Sequence, residues 1–341
     1  MLDIEHQTSN IQYQTSKLSI DLKKIQNQIE EELSSFEIKF KKAMKSDVVL
    51  LDKIMEYIIK RKGKQIRPMF VFLSAKICGE VNESTYRGAS LVELLHTATL
   101  VHDDVVDSSN QRRGFFSVNA LWKNKVAVLV GDYLLSKGLI LALHHKDYAM
   151  LDIVSNAVKA MSEGELLQIE KSRSLTITED VYYDVIRKKT ASLIASCCAM
   201  GACSAGADSL TIEKLRLFGE FTGIAFQIKD DLFDYGNSDI GKPLGIDIRE
   251  RKMTLPLIYA LQNATWLKKR HIINLIRNHT DDTSKVKEII EFVNTSGGLA
   301  YASKQMVYFR DKAFEQLFSL PSGAYRSAME ELVIFTIERE K

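Results

Sequence analysis

The stretch of sequence that decides the fold lies between residues 94 and 107. It reads Leu94-Leu95-His96-Thr97-Ala98-Thr99-Leu100-Val101-His102-Asp103-Asp104-Val105-Val106-Asp107. Its apolar residues recur at intervals of three and four, which is the period of an amphipathic helix and not of a strand. They are Leu91, Leu94, Leu95, Ala98, Val101 and Val105. The stretch therefore predicts a long helix that ends in acidic side chains.

Three carboxylates lie at the end of this predicted helix. Residues four apart stand above one another, so Asp103 and Asp107 share a face and Asp104 is turned about 100° away. Two unit charges about 4 Å apart repel by about 4 kcal/mol at an effective dielectric of about 20. A bound cation would remove this cost, and carboxylate oxygens suit Mg²⁺ better than zinc. A solvated acidic helix end is the alternative, and one trio alone does not decide between them.

The same spacing is repeated far along the chain, in Asp230, Asp231 and Asp234. These residues also end an apolar segment with helical spacing, which begins at Phe218. Two such trios on separate helices predict carboxylate clusters that face each other across a cleft. The cleft would hold metal ions and a polyanion, which strongly disfavours the solvated alternative.

Composition predicts an all-α protein. Of the 341 residues, 45% are hydrophobic and 26% are charged, as in ordinary globular proteins. With only four prolines, long stretches lack a helix breaker. Residues 1–45 predict an N-terminal amphipathic helix region, because Ile25, Ile29 and Leu33 lie four apart. This region either packs on a partner subunit or is the first helix of the core. We expect it to share one domain with a catalytic region at residues 46–341.

Several classes of function are disfavoured. A formal net charge of +2 gives no reason to expect nucleic-acid binding. We find no run of about 18 uncharged apolar residues and no signal peptide, so we expect no membrane span. The cysteines form no CxxC pair and predict reduced thiols in a cytoplasmic protein. They are Cys78, Cys197, Cys198 and Cys203.

Basic residues gather where an anion could bind. Residues 61–68 read Arg61-Lys62-Gly63-Lys64-Gln65-Ile66-Arg67-Pro68. Pro68 fits the first turn of a helix, whose N-terminus would favour a phosphate held by Lys64 and Arg67. Further candidate donors are Arg112, Arg113, Lys189, Thr190, Lys242 and Lys252. Lys242 and Lys252 lie in a loop that could close as a lid, and a solvated basic surface is the alternative.

Taken together, these motifs resemble the trans-polyprenyl diphosphate synthases. In chain order they are Gly63-Lys64-Gln65-Ile66-Arg67-Pro68, His96, Asp103-Asp104-Val105-Val106-Asp107, Arg112-Arg113-Gly114, Lys189-Thr190, Phe226-Gln227-Ile228-Lys229-Asp230-Asp231-Leu232-Phe233-Asp234 and Gly241-Lys242. They cover nearly the whole chain beyond the N-terminal helix. The similarity is greatest to long-chain members of the octaprenyl or heptaprenyl type, which make quinone side chains.

The resemblance implies a single isoprenoid synthase bundle of helices around a central cavity, usually as a homodimer. It implies Mg²⁺-dependent condensation of isopentenyl diphosphate with an allylic diphosphate. Asp103, Asp107 and Asp230 would bind Mg²⁺, with support from Asp104, Asp231 and Asp234. The residues that match the isopentenyl diphosphate site are Lys64, Arg67, His96 and Arg113. Those that match the allylic side are Arg112, Lys189, Thr190, Gln227, Lys242 and Lys252. The catalytic group comprises the six aspartates with Lys189, Thr190 and Gln227.

The chain departs from the family pattern at a few positions. Lys62 replaces the first Gly and Gln65 an Arg of the usual GGKRxRP, and Arg251 replaces a Gly before Lys252. Phe115-Phe116 replaces a pair such as Lys-Pro after the arginines. Every metal carboxylate is retained, so we expect an active enzyme.

Product length depends on the residues just before the first trio. Ala98 and Thr99 lie about 6 to 7.5 Å upstream at 1.5 Å per residue and would form the first floor of the tail cavity. Both are small, whereas short-chain relatives typically have aromatic residues there, so we expect a long product. The alternatives are a shorter-chain farnesyl or geranylgeranyl synthase and a subunit of a two-component synthase. A terpene cyclase is disfavoured by the second aspartate trio.

Overall fold

The computed structural model describes residues 21–61, 63–112, 114–175, 177–236 and 245–338. About four-fifths of these residues are helical and very few are in strands, so the predicted all-α fold is confirmed. The first helices are α1 (Leu22–Asn27), α2 (Glu30–Met44), α3 (Val49–Ile59), α4 (Ile66–Cys78), α5 (Glu83–Val106), α6 (Val118–His144), α7 (Tyr148–Ser174) and α8 (Glu179–Ile186). The remaining helices are α9 (Ser192–Ser204), α10 (Ser209–Phe233), α11 (Ile246–Arg249), α12 (Leu255–Gln262), α13 (Trp266–Asn278), α14 (Thr283–Thr295), α15 (Gly298–Phe318) and α16 (Ala324–Glu338). A short antiparallel hairpin of β1 (Gln111–Arg112) and β2 (Phe115–Phe116) links α5 to α6.

The N-terminal region folds as two helices, α1 and α2, where the sequence predicted one. The break falls at Ile29, whose backbone is not helical (φ −134°, ψ 33°). Ile25, Ile29 and Leu33 are all buried in the core of this chain, and α1 packs on α16. The helical spacing therefore identified core residues correctly, although it could not show the break between them.

The two acidic motifs end the long helices α5 and α10. The side chain of Asn82 caps α5 by accepting backbone N–H bonds from Ser84 and Thr85. Asp208 caps α10 in the same way by accepting from Thr211. Such caps satisfy N–H groups that have no partner within the helix. Each helix is therefore anchored at its start and presents its aspartates at its C-terminal end.

A π-helical turn at Arg187–Ala191 lies between α8 and α9. The predicted site residues Lys189 and Thr190 lie within this turn. Two glycines let neighbouring helices approach it closely: a Cβ at Gly223 of α10 would lie 2.5 Å from Ala191 Cα. A Cβ at Gly164 of α7 would lie 2.8 Å from the backbone nitrogen of Lys189. The turn therefore carries Lys189 between α7 and α10.

Helix α6 corrects one expectation about membranes. By length and mean hydropathy it could cross a bilayer, although we expected no such segment. It packs along α5, and a third of its most apolar stretch is buried. Asp132 lies within it and is 3.5 Å from His102 of α5, so the helix is not free of charge.

Helix α7 continues through the polar stretch at residues 161–168 to Ser174. The glycine-containing stretches near residues 294–298 and 321–323 separate helices, since α15 begins at Gly298 and α16 at Ala324.

Candidate active site

The first trio lies at the junction of α5 and the hairpin. Asp103 and Asp104 are in the last turn of α5, and Asp107 is its C-cap. Asp104 is only 4% exposed, whereas Asp107 is exposed. The carbonyl of Asp104 accepts hydrogen bonds from Asn119 Nδ2 (3.1 Å) and the Ser109 N–H (2.9 Å). The start of α6 therefore fixes the end of the acidic helix.

The second trio lies in a buried hydrogen-bond network. Asp231 is 5% exposed and accepts from Tyr182 Oη at 2.8 Å and from Gln227 Nε2 at 3.0 Å. The Gln227 carbonyl in turn accepts from Thr190 Oγ1 at 2.8 Å. Thr190, Gln227 and Asp231 were predicted site residues, and the structure brings them together. Tyr182 was missed, because nothing in its spacing distinguishes it from a core tyrosine.

Carboxylates crowd this second site. Burial, and then the charge of Asp247, raises the pKa of Asp231 to about 7. The same two causes raise the pKa of Asp234 to about 6. Asp234 accepts the Ile246 N–H through Oδ1 at 2.8 Å, but its buried Oδ2 has no partner among the described residues. Asp247 of α11 is thus a fourth carboxylate beside the second trio.

A cavity of about 190 Å³ adjoins the second trio. Its polar lining consists of Gln168, Tyr182, Lys189, Thr190, Gln227, Asp231, Asp247, Lys252 and Thr254. Its apolar lining consists of Ile177, Val185, Ile186 and Met253. The predicted allylic-side residues Lys189, Thr190, Gln227 and Lys252 therefore line one cavity.

Both lysines of the cavity contact carboxylates. Lys189 Nζ lies 2.5 Å from Glu165 and 3.2 Å from Gln168 Oε1. Lys252 pairs with Glu250 and lies 3.7 Å from Asp247. Burial lowers the pKa of Lys252, but these carboxylates, with a contribution from Asp107, outweigh it and raise the pKa overall. Asp107 of the first trio therefore lies close enough to Lys252 to interact with it electrostatically.

Three of the four predicted isopentenyl diphosphate residues lie on α4, on α5 and just before α4: they are Arg67, His96 and Lys64. Arg67 is in the first turn of α4, together with Pro68 as predicted, and its Nε donates to Glu93 Oε1 at 2.8 Å. Glu93 precedes His96 by three residues and so lies on its side of α5. Lys64 Nζ lies 5.1 Å from the ring centroid of Phe335 on α16. Glu93 and Phe335 were missed because both are far from the basic stretch in sequence.

Three predicted residues have little or no structural description. Arg113 and Lys242 lie outside the described residues, and Arg112 is placed by its backbone in β1. β2 pairs with β1 through Arg112 and Phe115. Tyr57 Oη donates to the Phe116 carbonyl, and Arg61 lies over the rings of Tyr57 and Phe115. The Phe115-Phe116 departure therefore contacts Tyr57 of α3 and Arg61, which follows that helix.

The donor chemistry fits a divalent metal, although no ready-made centre is present. Within the described ranges, no three His, Cys, Asp or Glu side chains converge as a metal-ligand cluster. The candidate ligands are all carboxylates, as Mg²⁺ prefers. Burial first, and then the charge of Asp247, raise the pKa values of Asp231 and Asp234, and Asp234 Oδ2 has no partner among the described residues, so a bound cation would favour the charged carboxylates. Residues that could hold it are Asp103 and Asp107 on one side and Asp230 on the other.

The residues proposed to form the floor of the cavity for the hydrocarbon tail lie among core residues. Ala98 is fully buried in a cluster formed by α3, α5 and α6, which includes Leu94, Met55 and Leu134. Thr99 Oγ1 donates to the His96 carbonyl at 2.9 Å. A larger residue at position 98 would therefore displace its neighbours.

The chain is a bundle of helices in which acidic motifs end two long helices, beside a cavity lined by two lysines. These features define a class of protein suited to metal-assisted chemistry on diphosphates. Residues 48–293 match the family model described as polyprenyl synthetase. The chain belongs to this family and is a prenyltransferase of the polyprenyl diphosphate synthase type.

Named relatives agree with this assignment. The chain is 37% identical over 299 residues to the all-trans-nonaprenyl-diphosphate synthase (geranyl-diphosphate specific) of Rhodobacter capsulatus, covering 86% of this chain and 90% of that one. It is 31% identical over 315 residues to the heptaprenyl diphosphate synthase component 2 of Bacillus subtilis (strain 168), covering 92% and 89%. A solved polyprenyl synthase from Caulobacter crescentus CB15, complexed with calcium and isoprenyl diphosphate, superposes with a TM-score of 0.87 at 33% identity, covering 94% and 98%.

Proposed function

We propose that this enzyme joins isopentenyl diphosphate head-to-tail (1′–4) to an allylic diphosphate and extends it to a long all-trans polyprenyl diphosphate for quinone side chains. The observation that carries the proposal is the cavity at the end of α10. Asp231 and the two cationic side chains of Lys189 and Lys252 all line it. Carboxylates for metal binding and lysines for phosphate are the two kinds of contact that a diphosphate needs.

The reaction requires the diphosphate of the allylic substrate to leave and the resulting allylic cation to be protected from water. The bond from C1 of the allylic substrate to oxygen breaks, and C4 of isopentenyl diphosphate bonds to C1. A proton then passes from C2 of the isopentenyl unit to the departed diphosphate, and a double bond forms between C2 and C3 of that unit. Bound Mg²⁺ would neutralise charge on that leaving group. Lys189 and Lys252 would contact its oxygens, while Tyr182 and Gln227 hold Asp231 in position. The apolar cavity residues would exclude water from the cation.

A long product is supported by the small side chains of Ala98 and Thr99 at the first floor position. The long-chain names of two relatives point the same way. The alternative is a shorter product, and product chromatography distinguishes them.

We also propose that the enzyme is a cytoplasmic homodimer that pairs through α6. A row of exposed apolar side chains follows one face of this helix: Val128, Leu129, Leu139, Ile140 and Leu143. An apolar row of this kind is self-complementary about a two-fold axis, so a second copy is the natural occupant. Asp132 lies in the same row, and a carboxylate in lipid costs about 2.5 to 3.5 kcal/mol, which disfavours lipid there. The alternative is a different subunit, as the word component in the Bacillus subtilis relative's name indicates for that protein.

The test is turnover of labelled isopentenyl diphosphate by the purified chain with farnesyl diphosphate and Mg²⁺. We expect long polyprenyl products and complete loss of incorporation with EDTA. Light scattering on the same sample should give a dimer, and Leu139→Glu/Leu143→Glu should give monomer. No incorporation by a folded, Mg²⁺-loaded protein would favour the two-component alternative.

A further inference from the structure

Helix α13 carries an exposed surface that the transferase site does not use. Its first two residues, Trp266 and Leu267, are 67% and 72% exposed. The basic residues of the helix are Lys268, Lys269, Arg270 and Arg277. It contains no acidic residue. The tip of α13 therefore places two large apolar side chains in water beside a cluster of positive charge.

The orientation of α13 is set by its inner face. Ile272, Leu275 and Ile276 are buried in the cluster shared with α14. Trp266 and Arg270 are four residues apart and share the outward side, where the Arg270 guanidinium lies 5.4 Å from the Trp266 ring centroid. The exposed tip is therefore a defined structure and not a frayed end.

The positive charge of this tip is not cancelled by the acidic residues nearby in sequence. Glu288 of α14 contacts α13 but is already bound by His271 (2.7 Å) and Lys285 (3.4 Å). Glu291 follows on α14, but among the described residues it forms no ion pair with the basic side chains of the tip. Asp281 and Asp282 follow the opposite end of α13, about 20 Å away at 1.5 Å per residue. The charge at the Trp266 end is thus available to a negatively charged partner.

We propose that the tip of α13 docks this protein on an anionic phospholipid surface. A tryptophan with one apolar face and one polar edge favours the headgroup boundary, and a neighbouring leucine can enter the acyl region. Lysine and arginine beside them contribute about 1 kcal/mol each near an anionic leaflet, which is about fivefold in affinity per charge. The apolar row of α6 contains Asp132, whereas the two apolar side chains of α13 precede three consecutive basic residues, so an anionic lipid surface matches α13 better than α6.

Docking goes beyond the transferase reaction and does not depend on it. A polyprenyl diphosphate with a long hydrocarbon tail partitions into membrane, and an enzyme held at the surface would release it there. A failure of vesicle binding would leave the condensation reaction untouched, so the two hypotheses fail separately.

The experiment is sedimentation of the full-length protein with sucrose-loaded vesicles. One set is phosphatidylcholine alone, and the other contains about 30% phosphatidylglycerol, at a low salt concentration of about 0.05 M. We expect binding to the anionic vesicles alone. Trp266→Ser/Leu267→Ser and Lys269→Glu/Arg270→Glu should each weaken it at least about tenfold. The chain has two tryptophans, so quenching by brominated lipid should disappear in Trp266→Phe and leave only the signal of Trp122.

Matched controls distinguish binding through this surface from nonspecific adsorption to the vesicles. Leu210→Ser removes a leucine that is 66% exposed at the start of α10, where Asp208 is the neighbouring charge. Lys24→Glu/Lys159→Glu reverses two exposed lysines elsewhere. Both controls should bind like the unmodified protein. Equal binding to neutral vesicles, loss of binding only on substitution of α6, or insensitivity to Trp266→Ser/Leu267→Ser would each overturn the proposal.

Discussion

The two aspartate trios occupy corresponding places on α5 and α10, yet their surroundings differ. In each, the middle residue is buried, Asp104 on the first helix and Asp231 on the second. Asp231 is held by Tyr182 and Gln227 and is crowded by Asp247. On the first helix, Asp107 is exposed at the C-cap.

This difference indicates that the two trios position their carboxylates in different ways. In the second trio, Asp231 is positioned in advance by Tyr182 of α8 and by Gln227 of α10, which in turn accepts a hydrogen bond from Thr190 of the π-helical turn. In the first trio, Asp107 is exposed and so has more freedom to adjust to a bound ligand. Variants at corresponding positions test whether the two trios differ in this way.

The largest effect should come from the proposed metal ligands themselves. Asp103→Asn and Asp230→Asn should each lower kcat about 10³-fold, because each removes a charge that holds the metal against the leaving diphosphate. Incorporation of labelled isopentenyl diphosphate measures this, and circular dichroism checks that both variants are folded. A loss of activity in only one of these two variants would contradict a metal site that both trios share.

Tyr182→Phe should lower kcat about 10- to 100-fold and weaken Mg²⁺ binding, because it removes one donor that orients Asp231. The control is Tyr183→Phe, whose hydroxyl contacts Gln305 at 3.4 Å instead of the trio. Mg²⁺ titrations of activity compare the two. If both variants behaved alike, the hydrogen bond to Asp231 would have no positioning role.

Ala98→Tyr should shorten the product and reduce the rate only several-fold, because the ring would block the space beneath the first trio. Overpacking this buried position should also cost about 1 to 3 kcal/mol of stability. Ala225 lies equally far before the second trio and is also fully buried, so Ala225→Leu is the control for overpacking. Chromatography of the products decides, and an unchanged chain length in Ala98→Tyr would refute the floor assignment.

The smallest effect should be on stability without metal. Asp247→Asn removes a like charge from beside Asp231 and Asp234, so it should raise the Tm of EDTA-treated protein by a few degrees. The gain in Tm on adding Mg²⁺ should shrink correspondingly. Asp152→Asn, on the surface of α7, serves as a control that should change neither value. A lower Tm for Asp247→Asn would mean that this carboxylate stabilises the fold.

Sequence alone determined the helical class and both acidic motifs, because helix period and the spacing of aspartates are local properties. It also identified Thr190 and Gln227, which the structure joins to Asp231. Only tertiary structure showed that Tyr182, 49 residues away, completes this network. It likewise placed Asp247 against the second trio and Glu93 against Arg67. Those contacts depend on how separate helices pack, and no local pattern in the chain encodes the distance between them.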